Sequence, residues 1–207
     1  MAEEYWTAVR TMRLRVADFL GSLSPAEWDA PSLCPGWRVR DVAGHLALVP
    51  TITAWDMIAV APRALFNPHR INTALATREG SADPADILAK IRRHAGARRT
   101  AKGLDTRNNL FDVIVHSQDM ARPLGRDLPV PAGYSRDGLQ RVWEMGWPFR
   151  AKRRLAGVRL TATDTDWAVG DGPEVAGSAL ALLLLLTGRT AAAVDALEGS
   201  GVAALRG

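Results

Sequence analysis

Two histidines and an aspartate carry the most distinctive spacing in the chain. Asp112-Val-Ile-Val-His116 sets a carboxylate and an imidazole four residues apart. On a helix, residues four apart stand one above the other on the same face, so both can reach one cation. Their neighbours Phe111, Val113, Ile114 and Val115 are apolar, which places the pair in or beside a core. An unpaired carboxylate there is costly, and a cation removes the cost. Asp119 falls on the same stripe. It is either a partner that orients an imidazole or a charge at the helix end. His45, in Asp41-Val-Ala-Gly-His-Leu, supplies a third ligand if its helix lies beside the first. Two histidines, one carboxylate and an open position form an arrangement that catalytic zinc uses. Iron, nickel and manganese also accept it. The competing reading is that the Asp and His are merely hydrogen-bonded or solvated.

The other reactive side chains are less directional. His69 sits in a polar stretch and is expected to be solvated. His94, with Arg92, Arg93 and Arg98 nearby, is expected to be partly exposed rather than a ligand. Cys34 precedes Pro35-Gly36-Trp37. With no base near it in sequence it is expected to be a small packed residue, not a nucleophile. The seven tryptophans read mainly as core and loop anchors, with Trp37 and Trp55 as alternative pocket walls. No phosphate loop, dinucleotide fingerprint, G-x-S-x-G elbow or HExxH motif is present.

Helices must position these groups. Residues 3–20 repeat apolar side chains at three- and four-residue steps, which predicts an amphipathic helix. Ser24-Pro25-Ala26-Glu27 is a capping box with proline at the first helical position. A second helix is predicted from about Arg38 to Val49, with Pro50 kinking it into a further stretch at 51–65. Asn67 to Ala82 reads as a long loop. Pro84 opens a helix to about Arg99, and Asp105 caps a long helix ending near Arg122. After a Pro/Gly-rich stretch comes a helix at 135–145. Alternation at Val158, Leu160 and Ala162, and again at Trp167 and Val169, predicts a strand pair around the Gly170-Asp171-Gly172-Pro173 turn. Helices at 174–186 and 190–197 complete the pattern. The expected architecture is mainly α: a helical bundle over residues 1–145 and a small α/β domain over 146–207.

Composition narrows the setting. The chain has 207 residues, 47% of them hydrophobic and 23% charged, with a net charge of +4. These values describe an ordinary globular protein. A single cysteine excludes an intrachain disulfide and a cysteine-rich zinc finger. The opening MAEEYW shows no signal peptide, and the apolar run Leu182–Leu186 is too short to span a bilayer. A cytoplasmic setting without a membrane partner is therefore expected. Arginines cluster at 92–93, 98–99 and 150–154, but no nucleic-acid motif accompanies them. Solvated faces or a site for a small anion fit better than nucleic acid.

Two blocks carry more than their spacing. LSPAEWDAPSLCPGWRVRDVAGHL and LFDVIVHSQDMARPLGRDLPVP resemble, in order and separation, the two signatures of the mycothiol-dependent maleylpyruvate isomerase family, within the DinB-like group of four-helix bundles. The stretch from Asp166 to Arg189 resembles a shortened form of that family's sterol-carrier-like C-terminal domain. The resemblance implies a divalent metal, zinc in most members, held by His45, Asp112 and His116. It also implies mycothiol, a thiol of actinobacteria, as the nucleophile. Isomerisation of a small electrophile, by addition to a cis double bond, rotation and elimination, or transfer of the thiol to it would follow. Arg92, Arg93 and Arg98 are candidates for gripping an anionic cosubstrate or substrate. The alternative is a non-catalytic bundle that binds a metal or small ligand, and the chain is a monomer or a homodimer on either reading. This sequence departs from the family in having Asp112 where its isomerases have Glu, and Arg38 where a Ser or Thr opens the second helix.

Overall fold

The structure, a computed structural model, describes residues 2–100 and 105–206. Its first helix, α1 (Ala2–Gly21), buries Val9, Met12, Val16 and Leu20 on one stripe. The capping box at Ser24 is formed as the sequence predicts. The Ser24 amide donates to Glu27 Oε2 at 2.8 Å and the Glu27 amide to Ser24 Oγ at 3.3 Å, opening α2 (Pro25–Asp29). Helix α3 (Val39–Leu48) starts at Arg38. Arg38 offers no oxygen, so the carboxylate of Asp41 caps in reverse, accepting from the Arg38 amide at 2.9 Å and from its guanidinium.

The next segment differs from the sequence reading. No single helix runs from 51 to 65: α4 (Ala54–Val60) begins afresh from a Thr53 cap, and Leu65 and Phe66 turn the chain at positive φ. Asn67 to Ala82, expected to be a loop, is mostly helix α5 (Pro68–Gly80). Asn67 Oδ1 caps it by accepting from the amides of His69 and Arg70, and Pro68 takes the first position. Its apolar pattern is thin because its main contact needs no side chain. A Cβ on Gly44 would lie 2.4 Å from the Gly80 nitrogen, and one on Gly80 would lie 2.7 Å from the Arg40 carbonyl oxygen. Helices α3 and α5 thus touch backbone to backbone, which only glycine permits.

Helix α6 (Pro84–Arg93) stops at His94, short of the expected Arg99. Asp105 caps a 3-10 turn that leads into α7 (Asn109–Ala121), as the sequence predicts. The buried Arg13 of α1 ties these ends together. It donates to the carbonyls of Ala95 and Ala97 at 3.3 and 2.7 Å and to Asn109 Oδ1 at 2.8 Å.

The chain forms two compact units: 1–109 with 116–128, and 110–115 with 129–207. The second contains α8 (Ala132–Glu144), α9 (Ala151–Arg154), α10 (Ala179–Leu186), α11 (Thr190–Ala193) and a four-stranded sheet. Its strands are β1 (Arg159–Ala162), β2 (Ala168–Val169), β3 (Glu174–Gly177) and β4 (Leu197–Glu198), ordered β2-β1-β3-β4. β1 and β3 run parallel, with Leu160 opposite Val175, and the other pairings are antiparallel. Two expectations are corrected here. Residues 174–177 form a strand rather than the start of a helix, because Ser178 caps α10 by accepting from the Ala181 amide. The last expected helix ends early, and Leu197 joins the sheet. Leu182 to Leu186 of α10 are fully buried, and Gly138 of α8 lets Leu183 and Phe111 close over it. Arg154 donates to the Leu185 and Leu186 carbonyls at the C-terminal end of α10, and burial pushes its guanidinium below the usual arginine range.

Two outcomes follow from these contacts. Gly44→Ala and Gly80→Ala should each force α3 and α5 apart and lower stability by about 1–3 kcal/mol, the usual cost of overpacking. Urea unfolding of the purified variants measures this, and wild-type midpoints would refute the close contact. The Ser24 amide and hydroxyl, with Arg126, hold the Glu27 carboxyl below its ordinary range. Its stabilising contribution is therefore present above the unfolded-state pKa and is lost as pH falls through the lower folded-state pKa. The gap in unfolding midpoint between wild type and Glu27→Gln should close over that acid range.

Candidate metal centre

His45 projects from α3, and Asp112 and His116 stand one turn apart on α7. Each offers a ligand atom, and the three atoms lie within 4.8 Å of one another. All three residues are half-buried. The imidazoles of His45 and His116 meet edge to face, with centroids 4.8 Å apart. Trp37 backs both rings, at 5.7 Å from His45 and nearly parallel to His116 at 6.4 Å. Its own position is fixed by burial and by Nε1 donating to Thr73 Oγ1 of α5 at 3.3 Å.

Asp119 answers the question that the sequence left open. Its side chain is fully buried, and Oδ2 lies 2.9 Å from His116 Nδ1. Asp119 is therefore not a helix-end charge but the partner that fixes the His116 ring. With Nδ1–H donating to this carboxylate, Nε2 is the nitrogen left to carry a lone pair for an ion. The loop before α3 closes over the same point. The Leu33 amide donates to the Asp119 carbonyl at 3.0 Å, and Cys34 Sγ donates to Asp119 Oδ2 at 3.1 Å. Cys34 Sγ also lies 3.7 Å from His116 Nδ1. The expectation that Cys34 has no acid–base partner is thus corrected, because the fold brings one from 85 residues away. Cys34, His116 and Asp119 form a second close group of ligand atoms, with a hydrogen bond linking each of the other two to Asp119.

The donor set fits a divalent ion. Tetrahedral zinc with bonds of about 2.0–2.2 Å sets ligand atoms roughly 3.3 Å apart. The three ligand atoms lie within 4.8 Å of one another, close enough to face one ion. Two imidazoles and one carboxylate suit zinc, iron, nickel or manganese, and partial exposure of all three leaves room for a further ligand.

The remaining candidates lie elsewhere. Arg92 pairs with Asp18 at 3.2 Å, and Arg98 holds Glu3 through two bonds of 2.6 Å. Both acids are on α1, and Arg93 is exposed. His69 is exposed in the first turn of α5, and His94 ends α6 half-buried. Of the two tryptophans considered as pocket walls, Trp37 lines the histidine pair, while Trp55 is 77% exposed. Arg13 escaped the sequence reading, because nothing in a lone arginine on an amphipathic helix signals that it is buried.

Two solved structures share this fold. The crystal structure of the mycothiol-dependent maleylpyruvate isomerase superposes with a TM-score of 0.66 at 16% identity, covering 97% of this chain and 93% of that one. A point mutant of that enzyme gives 0.64 at 15%, with the same coverage. At such identity the likeness establishes the fold, mainly helical with a small C-terminal sheet. No curated protein matches the sequence. The model of the mycothiol maleylpyruvate isomerase N-terminal domain matches residues 9–121. That match takes in the capping box, the Cys34 loop and all of α7, and it covers more than half of the chain. The chain belongs to the mycothiol maleylpyruvate isomerase N-terminal domain family.

Proposed function

We propose that this chain is a divalent-metal-dependent enzyme that uses a low-molecular-weight thiol, mycothiol, as nucleophile toward a small electrophile. The reaction is isomerisation or thiol transfer. The observation that carries the reading is the convergence of His45, Asp112 and His116 from two helices, with a buried carboxylate fixing one of the rings. A bare cluster of acids and histidines on a surface would carry no such reading. A ligand ring oriented from behind is the arrangement by which proteins set imidazole geometry and basicity at metals.

The residues divide the work. His45 Nδ1 or Nε2, His116 Nε2 and an Asp112 oxygen would hold the ion. When bound, it supplies a Lewis acid with an open position, which lowers the pKa of a coordinated thiol. Asp119 keeps the His116 proton on Nδ1, and Trp37 shields both rings from water on one side. In an isomerisation the thiol sulfur adds to one carbon of a cis double bond, the remaining single bond rotates, and elimination returns the thiol and the trans alkene. In a transfer the sulfur stays on the electrophile. Asp112 favours an ion held close to α7, since its side chain is one methylene shorter than that of the Glu found in the family's isomerases. A bundle that binds the metal without turnover is the alternative, and the same experiments decide it.

Elemental analysis of the purified protein beside His45→Ala/His116→Ala tests the site. About one divalent ion per chain is expected in the parent and none in the double variant. An empty parent after reconstitution, or equal metal in both, overturns the reading. Incubation of the metal-loaded parent with mycothiol and a panel of small electrophiles, including cis-unsaturated keto acids, should consume or isomerise at least one of them. The double variant should be inactive, and a metal-loaded parent with no turnover across the panel favours the binding protein.

A further inference from the structure

The three candidate ligands account for the facing rings and Asp112, but not for the thiol set against Asp119. Cys34 lies in a tight loop whose course is heavily determined. Its amide donates to Ser32 Oγ at 3.1 Å, and Ser32 Oγ donates to the Trp37 carbonyl at 2.8 Å. The Trp37 amide donates back to the Cys34 carbonyl at 3.0 Å. Gly36, at a φ of +78°, makes the turn possible. The Leu33 amide then fastens the loop to the Asp119 carbonyl. The same loop therefore delivers two donors to one residue of α7, an amide to its main chain and a thiol to its side chain.

Asp119 Oδ2 receives both the Cys34 thiol and His116 Nδ1, and its side chain is fully buried. A buried carboxylate holds its rotamer through the donors that satisfy it. A hydrogen bond to a charged acceptor is stronger than a neutral one, even from a weak donor such as a thiol. We propose that Cys34 is a positioning residue of the metal centre: its S–H fixes Asp119, Asp119 fixes the His116 ring, and the ring presents Nε2 to the ion. This inference rests on the metal reading above. It differs from nucleophilic thiol chemistry, for which the geometry is wrong. Sγ and Asp119 both face the Nδ1 side of His116, so the imidazole does not stand between thiol and carboxylate as a relay requires.

Metal dissociation constants measured by chelator competition for the parent, Cys34→Ala and Cys34→Ser test it, with melting temperatures of the metal-free proteins as the control. Removing a partner behind a ligand commonly weakens a metal site by 10–100-fold. Cys34→Ala should lose about tenfold in zinc affinity, and Cys34→Ser, which keeps a donor, should recover part of the loss. An unchanged affinity in Cys34→Ala overturns the inference and leaves the metal reading standing. So does an equal loss in both variants that only follows a fall in melting temperature. A sulfur-to-cobalt charge-transfer band in the cobalt-loaded parent overturns it differently, by placing Sγ on the ion itself. A parent that takes up no metal overturns the metal reading and this inference together.

Discussion

The contact between the fully buried Asp119 Oδ2 and His116 Nδ1, 2.9 Å long, is the constraint around which the first unit is organised. A carboxylate without exposure is tolerated only where donors surround it. Supplying those donors draws in the loop before α3 as well as α7 itself. The loop carries Trp37, whose ring backs both histidines, and it leads directly into the helix that bears His45. Satisfying one buried charge thus places three of the groups on which the candidate centre depends.

The approach of α3 to α5 is the second constraint, and it works without side chains. Gly44 precedes His45 in sequence, and the backbones meet there because neither Gly44 nor Gly80 has a Cβ. Arg40 strengthens the crossing by donating to the Gly80 carbonyl at 2.6 Å and the Ala82 carbonyl at 3.0 Å. The crossing fixes the height of His45 along α3 relative to α5, and Thr73 of α5 in turn holds Trp37. Precision in a ligand set comes from such rigid backing rather than from the ligands.

What the sequence made legible follows from how local each signal is. The Asp112 and His116 spacing on α7 and the capping box at Ser24 are short-range patterns, and the structure has both on helices as read. The fold class was legible too, from long helical periodicities and a brief alternating stretch. Helix α5 was hidden because apolar periodicity reports side-chain burial, and α5 buries little besides Leu75, Ala76 and Gly80. The Asn67 cap and the first-position Pro68 are the local signals of its start, while the polar composition reads as a loop. Strand β3 was hidden for the opposite reason. Its residues Glu174–Gly177 run into an apolar helix with only Ser178 between them, and so short a strand does not reveal where the period changes. The partnership of Cys34 with Asp119 lay beyond any local reading, since proximity in space across 85 positions is decided by packing alone.

Helix α7 lends the metal reading support beyond a match of residue types. Its polar residues are of two kinds. Ser117, Gln118 and Asp119 are buried. Gln118 donates to the Leu128 carbonyl at 2.8 Å and accepts from Arg122 at 3.2 Å, while Asp119 takes its donors from His116 and the Cys34 loop. These groups are held within the fold, Asp119 behind the His116 ring. Asp112 and His116 keep partial exposure and converge with His45 on one point. The other faces of the helix carry buried apolar side chains, among them Phe111, Val113 and Ile114. A carboxylate and two imidazoles converge at one spot, with a buried carboxylate behind one ring, and a divalent cation with room for one more ligand is the chemistry that this donor set matches.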